Sequence, residues 1–133
     1  DEYRLHAIDA PELRQDCKAA NGESYPCGRR ALEALRKLLS EGELSCRVLE
    51  TDRYGRSVSV CKLGTKDIAD EMVRMGWAVA YRQHGGDYVA AEEDARSQRR
   101  GMWQGRFDNP HDWRSARRKA IVQGSMAEEV EPD

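Results

Sequence analysis

The 133-residue chain has no apolar run near the roughly 18 residues that a membrane-spanning helix needs. It also has no Cys-x-x-Cys pair, which argues against a structural zinc site, and His6, His84 and His111 show no metal-ligand spacing. A Gly-rich nucleotide loop, a Gly-x-Ser-x-Gly elbow and a Cys/His signature are all absent, so those routes to nucleotide binding and nucleophilic catalysis find no support. There is no internal repeat and no low-complexity segment. An excess of charge of one sign is lacking too. The formal net charge is −2, without the basic balance usual in nucleic-acid binders. Taking away Glu128, Glu129, Glu131 and Asp133 moves it from −2 to +2, so residues 123–133 read as an acidic, solvated tail behind a single domain over residues 1–122. The chain opens on Asp1-Glu2 with neither Met nor a signal-peptide pattern, which reads as a processed or cut N-terminus.

What remains is a globular composition, 39% hydrophobic and 35% charged, in a chain long enough to bury a core. Cys17, Cys27, Cys46 and Cys61 form an even set. Cys46 and Cys61 lie nearly equidistant from a turn at Arg53-Tyr54, so a hairpin would set them opposite each other. Cys17 and Cys27 bracket a loop with Asn21-Gly22 and Pro26, which a second bridge could close. Two disulfides imply an oxidising compartment, periplasmic or extracellular; the alternative is four reduced thiols in a cytosolic protein.

Alternation predicts a strand over residues 3–8, with Tyr3, Leu5 and Ala7 on one face and Arg4, His6 and Ile8 on the other. Pro11 ends it, and residues 15–28 read as a loop. Ala31, Leu32, Leu35, Leu38 and Leu39 mark a helix over residues 29–40, stopped by Gly42. Residues 44–49 and 57–63 are the hairpin arms. A short helix is expected over residues 67–75, and an extended run over 77–81. Asp87 is a candidate N-cap for a helix to Arg100. A last helix is expected from Pro110 to about Val122, with Trp113, Ala116, Ala120 and Ile121 on one face. Tyr88, Trp77, Trp103 and Trp113 read as core, and Met102, Trp103 and Phe107 as folding back onto it. This pattern is α+β, with a small antiparallel barrel and three or four packed helices.

Two stretches carry candidate chemistry. In Tyr3-Arg4-Leu5-His6-Ala7-Ile8-Asp9-Ala10-Pro11-Glu12 an arginine leaves a strand beside a carboxylate-bearing turn. In Asp52-Arg53-Tyr54-Gly55-Arg56, Gly55 permits the positive φ of a tight hairpin, which gathers two more arginines at its tip. Guanidinium groups suit phosphate oxygens and the charge that gathers on a pentacoordinate phosphorus. Asp9 is a candidate ligand for a hard cation, although calcium wants six to eight oxygens, and Glu12 a candidate general base. Tyr54 and Tyr81 are candidates for base or phosphate contacts. Each feature has an ordinary alternative: a surface ion pair, a charged hairpin tip, aromatic core packing.

In this order, with a helix between them and followed by Met72-Val73-Arg74-Met75-Gly76-Trp77-Ala78, Ala95-Arg96 and Gly101-Met102-Trp103, these stretches resemble the staphylococcal nuclease (thermonuclease) family over most of the chain. The resemblance implies an OB-fold barrel with packed helices and calcium-dependent cleavage of DNA and RNA at the 5′-oxygen–phosphorus bond. It implies that Arg4 binds and polarises the scissile phosphate, Arg56 stabilises the transition state, and Glu12 activates or orients water. It gives Asp9 and the main-chain carbonyl of Ala10 to calcium. Arg53, in place of a lysine, and Tyr54 would contact a neighbouring phosphate, and Tyr81 would line the nucleotide pocket. The loop holding Cys17 and Cys27 and the segment around Asn109-Pro110-His111-Asp112-Trp113-Arg114 are additions that resemble bacterial, exported members.

One part of the family pattern is missing. The family places a further calcium aspartate in an Asp-Gly-Asp-Thr-like segment, one or two strands before the strand of Arg4; no such segment occurs here. About 20–30 residues would hold it, and its absence leaves a sheet edge open. Three explanations stand: a fragment of a longer protein, a partner chain that supplies the strands and the aspartate, or a catalytically inactive module that binds nucleic acid or protein without cutting.

Overall fold

A computed structural model describes residues 3–81 and 86–124 of the protein. In chain order the elements are β1 (Tyr3–Leu5), β2 (Ile8–Asp9), β3 (Cys17–Lys18), β4 (Ser24–Tyr25), α1 (Cys27–Leu39), β5 (Leu44–Thr51), β6 (Ser57–Leu63), β7 (Lys66–Asp67), α2 (Ile68–Arg74), β8 (Val79–Ala80), α3 (Val89–Ser97), a 3₁₀ turn Gly101–Gln104 and α4 (Pro110–Gly124). The acidic run from residue 125, His84 and Asp1-Glu2 lie outside the described residues.

The hairpin forms in the register the cysteines call for: Cys46 faces Cys61 across β5 and β6, and the two are joined by a disulfide. A second disulfide joins Cys17 to Cys27, with Cα atoms 5.5 Å apart. It spans from β3 to the first residue of α1, so the loop expected over residues 15–28 contains a small sheet of β3 and β4 and is covalently closed. The α1 helix starts two residues earlier than its apolar spacing suggests, because Cys27 and Gly28 are buried in its first turn.

Two strand expectations are corrected. The strand predicted over residues 3–8 breaks at Ala7, whose φ of 59° puts it in the left-handed region. That corner turns Ile8 from the face shared with Arg4 into the core, where it is 6% exposed. The pairing of β1 is also not antiparallel. It runs parallel to β6, with Arg4 opposite Val58, and the long stretch from β2 through α1 to β5 supplies the crossover that parallel neighbours need. Among the described residues the strands form three small sheets, β1–β6–β5 with β7, β2–β8 and β3–β4, with no closed barrel. With four α-helices packed around them, the fold is α+β.

The main core lies between α1, α2 and the β6 face, around Leu38, Cys61, Leu63, Ile68, Met72 and Val73. Each large apolar side chain buried there contributes about 1.5–3 kcal/mol. A second cluster joins the disulfide of Cys17 and Cys27 to Val79 and Met102, with Trp77, Trp103 and Phe107 against it. The expected fold-back after α3 is therefore present. Asp67 caps α2 by accepting from the amides of Ala69 and Asp70, at 2.9 and 3.4 Å. Its other oxygen accepts from the buried Tyr88 hydroxyl at 2.7 Å; burial, then this hydrogen bond, push the phenol pKa well above its ordinary value. Tyr88, not Asp87, occupies the position before α3, and the Asp87 carboxylate lies 3.4 Å from His6 instead.

The last helix runs on to Gly124, past the expected end near Val122. Of its expected inner face, Trp113 is half-buried, Ala116 is exposed, and the side chains of Ala120 and Ile121 lie outside the described residues; Pro110 is buried and Arg114 and Arg117 are half-buried. Trp113 is covered by the Arg117 guanidinium, 5.6 Å above its ring.

Candidate active site

The hairpin tip is organised by one carboxylate. Oδ1 of Asp52 accepts from the amides of Tyr54 and Arg56, both at 2.9 Å, and Oδ2 accepts from Nε of Arg56 at 2.8 Å. The main chain closes the turn through Asp52 N to Arg56 O and Gly55 N to Asp52 O, with Gly55 at a φ of +82°. Burial raises the Asp52 carboxyl pKa, but the hydrogen bonds from Arg56 and Tyr54 outweigh it and hold the group below its ordinary value. Tyr54 is 71% exposed, with the guanidinium groups of Arg53 and Arg56 at 5.2 and 5.5 Å from its ring centroid. The tip offers an aromatic face and two cations to solvent, a combination that suits nucleotides. Asp52 received no role from its sequence position; an Asp four residues before Arg on a Gly turn was the available signal.

The register of β1 and β6 relates this tip to Arg4. Tyr3 pairs with Ser57, the residue after Arg56, so Arg4 and Arg56 leave neighbouring strands two positions apart along the ladder. The Arg4 guanidinium lies 5.6 Å from the ring centroid of Tyr81, and that ring lies 6.3 Å from His111 on α4. Past the corner at Ala7, Asp9 pairs with Val79 of β8, and the Tyr81 amide donates to the Ala7 carbonyl at 2.7 Å. The buried Glu92 of α3 fixes β8 from the other side, its Oε1 accepting from the Ala80 amide at 2.9 Å. Thus Arg4, Asp9 and Tyr81 are held on one framework.

Glu12 sits on a turn that Gln15, three residues on, ties to distant parts of the chain. The fully buried Gln15 accepts the Glu12 amide on Oε1 at 3.2 Å, and its own amide donates to the Glu12 carbonyl at 2.8 Å. Its Nε2 donates to the carbonyl of Asp108 at 2.8 Å, and its carbonyl accepts from Gly28 at 3.1 Å. At Gly28 a Cβ would stand 1.8 Å from the Glu12 carbonyl oxygen, so α1 approaches this turn more closely than any side chain permits.

The residue that joins the carboxylates is Arg114, which the sequence reading placed only within an added segment. Its Nη1 and Nη2 donate to the two oxygens of Asp9 at 3.0 and 2.7 Å, and Nη1 also donates to Oε1 of Glu12 at 2.9 Å. The side chains of Asp9, Arg114 and Glu12 are 11%, 27% and 40% exposed. The hydrogen bonds to Asp9, despite the opposing effect of burial, and those to Glu12 raise the Arg114 pKa, so the guanidinium is permanently charged. The half-buried inner face of α4, Pro110, Trp113, Arg114 and Arg117 at helical spacing, is the pattern that could have singled it out.

A cavity of about 1090 Å³ opens beside Asp9, lined among others by Tyr81, Trp103, Arg106, His111 and Asp112. Among the described residues no cluster of three or more His, Cys, Asp or Glu side chains could hold a metal ion. With Arg114 seated, the donor set does not fit calcium, because both oxygens of Asp9 are already occupied by its fork. The exposed Ala10 lies between the two carboxylates in sequence, and Arg53, Tyr54 and Arg56 stay together at the hairpin tip.

Comparison with known proteins places these features in one family. The family model described as staphylococcal nuclease homologue matches residues 2–105. The chain is 30% identical over 118 residues to a probable endonuclease of Schizophyllum commune, covering 75% of this chain and 39% of that protein. It is 33% identical over 106 residues to a succinoglycan biosynthesis protein of Rhizobium meliloti, covering 77% and 56%. It is 33% identical over 123 residues to a probable staphylococcal-like nuclease of Oryza sativa subsp. japonica, covering 90% and 34%. The chain thus spans between about a third and somewhat over half the length of these relatives. Both arginine-bearing stretches and the Asp9–Glu12 turn fall inside the matched span, whereas α4 falls beyond it, and the chain belongs to the staphylococcal nuclease homologue family.

Proposed function

We propose that the protein is a phosphodiesterase that cleaves DNA or RNA at the 5′-oxygen–phosphorus bond with little sequence preference, and that it does so with calcium. The observation that carries this reading is the gathering of Asp9 and Glu12 within reach of a single guanidinium, next to the Arg4–Tyr81 pair, inside the nuclease-like span. In this reading Arg4 and Arg56 bind the phosphate and neutralise charge that builds on its oxygens in the transition state. Glu12 orients or deprotonates the attacking water. Arg53 and Tyr54 at the tip, and Tyr81 in the cavity wall, hold the flanking nucleotides. Asp9 and the Ala10 carbonyl are the groups assigned to calcium, an assignment that requires Arg114 to leave Asp9. Calcium bound there would add positive charge beside the phosphate.

The two disulfides fit an oxidising compartment, periplasmic or extracellular. No described helix is long and apolar enough to cross a membrane. The acidic residues 123–133 are read as a tail behind the catalytic unit, and a partner chain that supplies further strands remains part of the proposal.

One observation favours a second reading, a nuclease-like module that binds without cutting: Arg114 holds both carboxylates that catalysis would need. Digestion of plasmid DNA and of RNA, with calcium and with chelator, separates the two. Chelator-sensitive turnover supports the enzyme. Tight binding without product in either condition supports the module.

A further inference from the structure

The last helix holds the positive surplus of this chain. Within α4, Arg114, Arg117, Arg118 and Lys119 stand against one acid, Asp112, a net charge of +3. Residues 1–109 hold 18 basic and 19 acidic side chains, so the body of the domain offers a polyanion no surplus of its own. Two of the four cations are engaged where the helix faces the domain, Arg114 in the fork to Asp9 and Glu12 and Arg117 over the Trp113 ring. Arg118 and Lys119 are exposed, and among the described residues neither meets a carboxylate. Arg118 reaches the Ser115 hydroxyl at 3.4 Å, a weak tie for a guanidinium.

Exposed cations on a helix are ordinarily a solvated face and nothing more. Here their position gives them a direction. His111, Arg114 and Arg118 fall on one row of the helix, at spacings of three and four residues. The row begins at the proposed phosphate site, because the Arg4 guanidinium lies 5.6 Å from the Tyr81 ring and that ring 6.3 Å from the exposed His111. From His111 to Arg118 it covers about 10 Å of helix axis, the length of about three stacked nucleotides. The row is also fixed in place. Gln15 holds the Asp108 carbonyl at 2.8 Å, the Asn109 side chain accepts from the His111 amide at 3.0 Å, and Arg114 pins the next turn to Asp9 and Glu12. A rigid row of this kind loses little freedom when a strand lies along it.

We infer that α4 is a docking track for the nucleic-acid strand that flanks the scissile phosphate: the strand passes the Tyr81 and His111 rings and lays its next phosphates along Arg118, with Lys119 beside it. The inference rests on the nucleic-acid reading above and adds the path of the strand beyond the reacting phosphate. It requires no ion at Asp9. Aromatic rings followed by cations suit a single strand, and contacts to phosphate oxygens read no bases, in keeping with little sequence preference. The helix lies beyond residues 2–105, so the track is an addition to the nuclease-like span. The rival occupant is the acidic stretch of the same chain, Glu128, Glu129, Glu131 and Asp133.

The test is fluorescence anisotropy on the full chain with phosphorothioate-linked oligothymidylates about four and about twelve nucleotides long, a range of lengths that single-strand sites span. Wild type is compared with Arg118→Ala/Lys119→Ala and with Arg36→Ala/Lys37→Ala, which removes two exposed cations from α1 instead; circular dichroism verifies that each is folded. Wild type should bind the longer strand at least about tenfold more tightly than the shorter. The α4 variant should lose most of that gain, and its slope of log K against log salt should shrink by about 1.4, two contacts at about 0.7 each. The α1 variant should keep both. A length gain and salt slope that survive in the α4 variant overturn the track, as do equal losses in the two variants, which would reflect net charge alone. If the row instead holds the acidic stretch of its own chain, the α4 variant binds the longer strand as well as wild type or better, and the inference falls. Failure of wild type to bind either strand removes the nucleic-acid reading itself, and the track with it.

Discussion

The two halves of the site are built in opposite ways. The hairpin tip is self-contained: within residues 52–56 the Asp52 carboxylate, the Arg56 guanidinium and four main-chain amides make the bonds that shape it. The Asp9–Glu12 turn is tied to two distant stretches: through Gln15, three residues on, to Gly28 at the start of α1 and to the Asp108 carbonyl at the root of α4, and directly to Arg114 of that helix. A local motif keeps its shape whatever the rest of the domain does, whereas a turn held by long-range contacts reports the state of the whole fold. Arg53 and Arg56 are therefore presented by a locally bonded turn, while the carboxylates sit where contacts from α1 and α4 meet.

Gly28→Ala should break the assembled half most severely. Its new methyl would meet the Glu12 carbonyl, and the turn and α1 must separate at a cost of about 3 kcal/mol. Thermal unfolding should show Tm lowered by roughly 10 °C. An unshifted Tm would mean that α1 does not press on this turn. Asp52→Ala should act on the self-contained half with a smaller effect. Arg56 loses its anchor and kcat should fall about tenfold through misplacement, while Tm stays within about 3 °C of wild type. Measured side by side, equal losses of Tm in the two variants would erase the contrast between the halves.

The same division explains what was legible in the sequence. The hairpin, its register and its disulfide follow from Gly55 and from two cysteines equally spaced about the turn, all local information. The α1 and α2 helices follow from apolar spacing; the Asp67 side chain that caps α2 emerges only in the structure. Nothing local marks Ala7 for its left-handed corner; the Tyr81 amide, which bonds its carbonyl, is more than 70 residues away. The parallel pairing of β1 was hidden for a related reason, since strand direction depends on the path of the whole intervening chain. Asp9 and Glu12 can be named as candidates from their turn, but their partner cannot, because Arg114 lies 102 positions beyond Glu12 on a helix whose apolar pattern points to Trp113, Ala116, Ala120 and Ile121 as the inner face.

The central claim is that Arg4 binds and polarises a scissile phosphate beside the Asp9–Glu12 pair. Turnover of a plasmid substrate by wild type and by Arg4→Ala, at saturating calcium and with both proteins shown to be folded, tests it most directly. The account predicts that kcat falls by at least about two orders of magnitude in the variant, the scale of losing a transition-state donor. Near wild-type turnover in Arg4→Ala would contradict it.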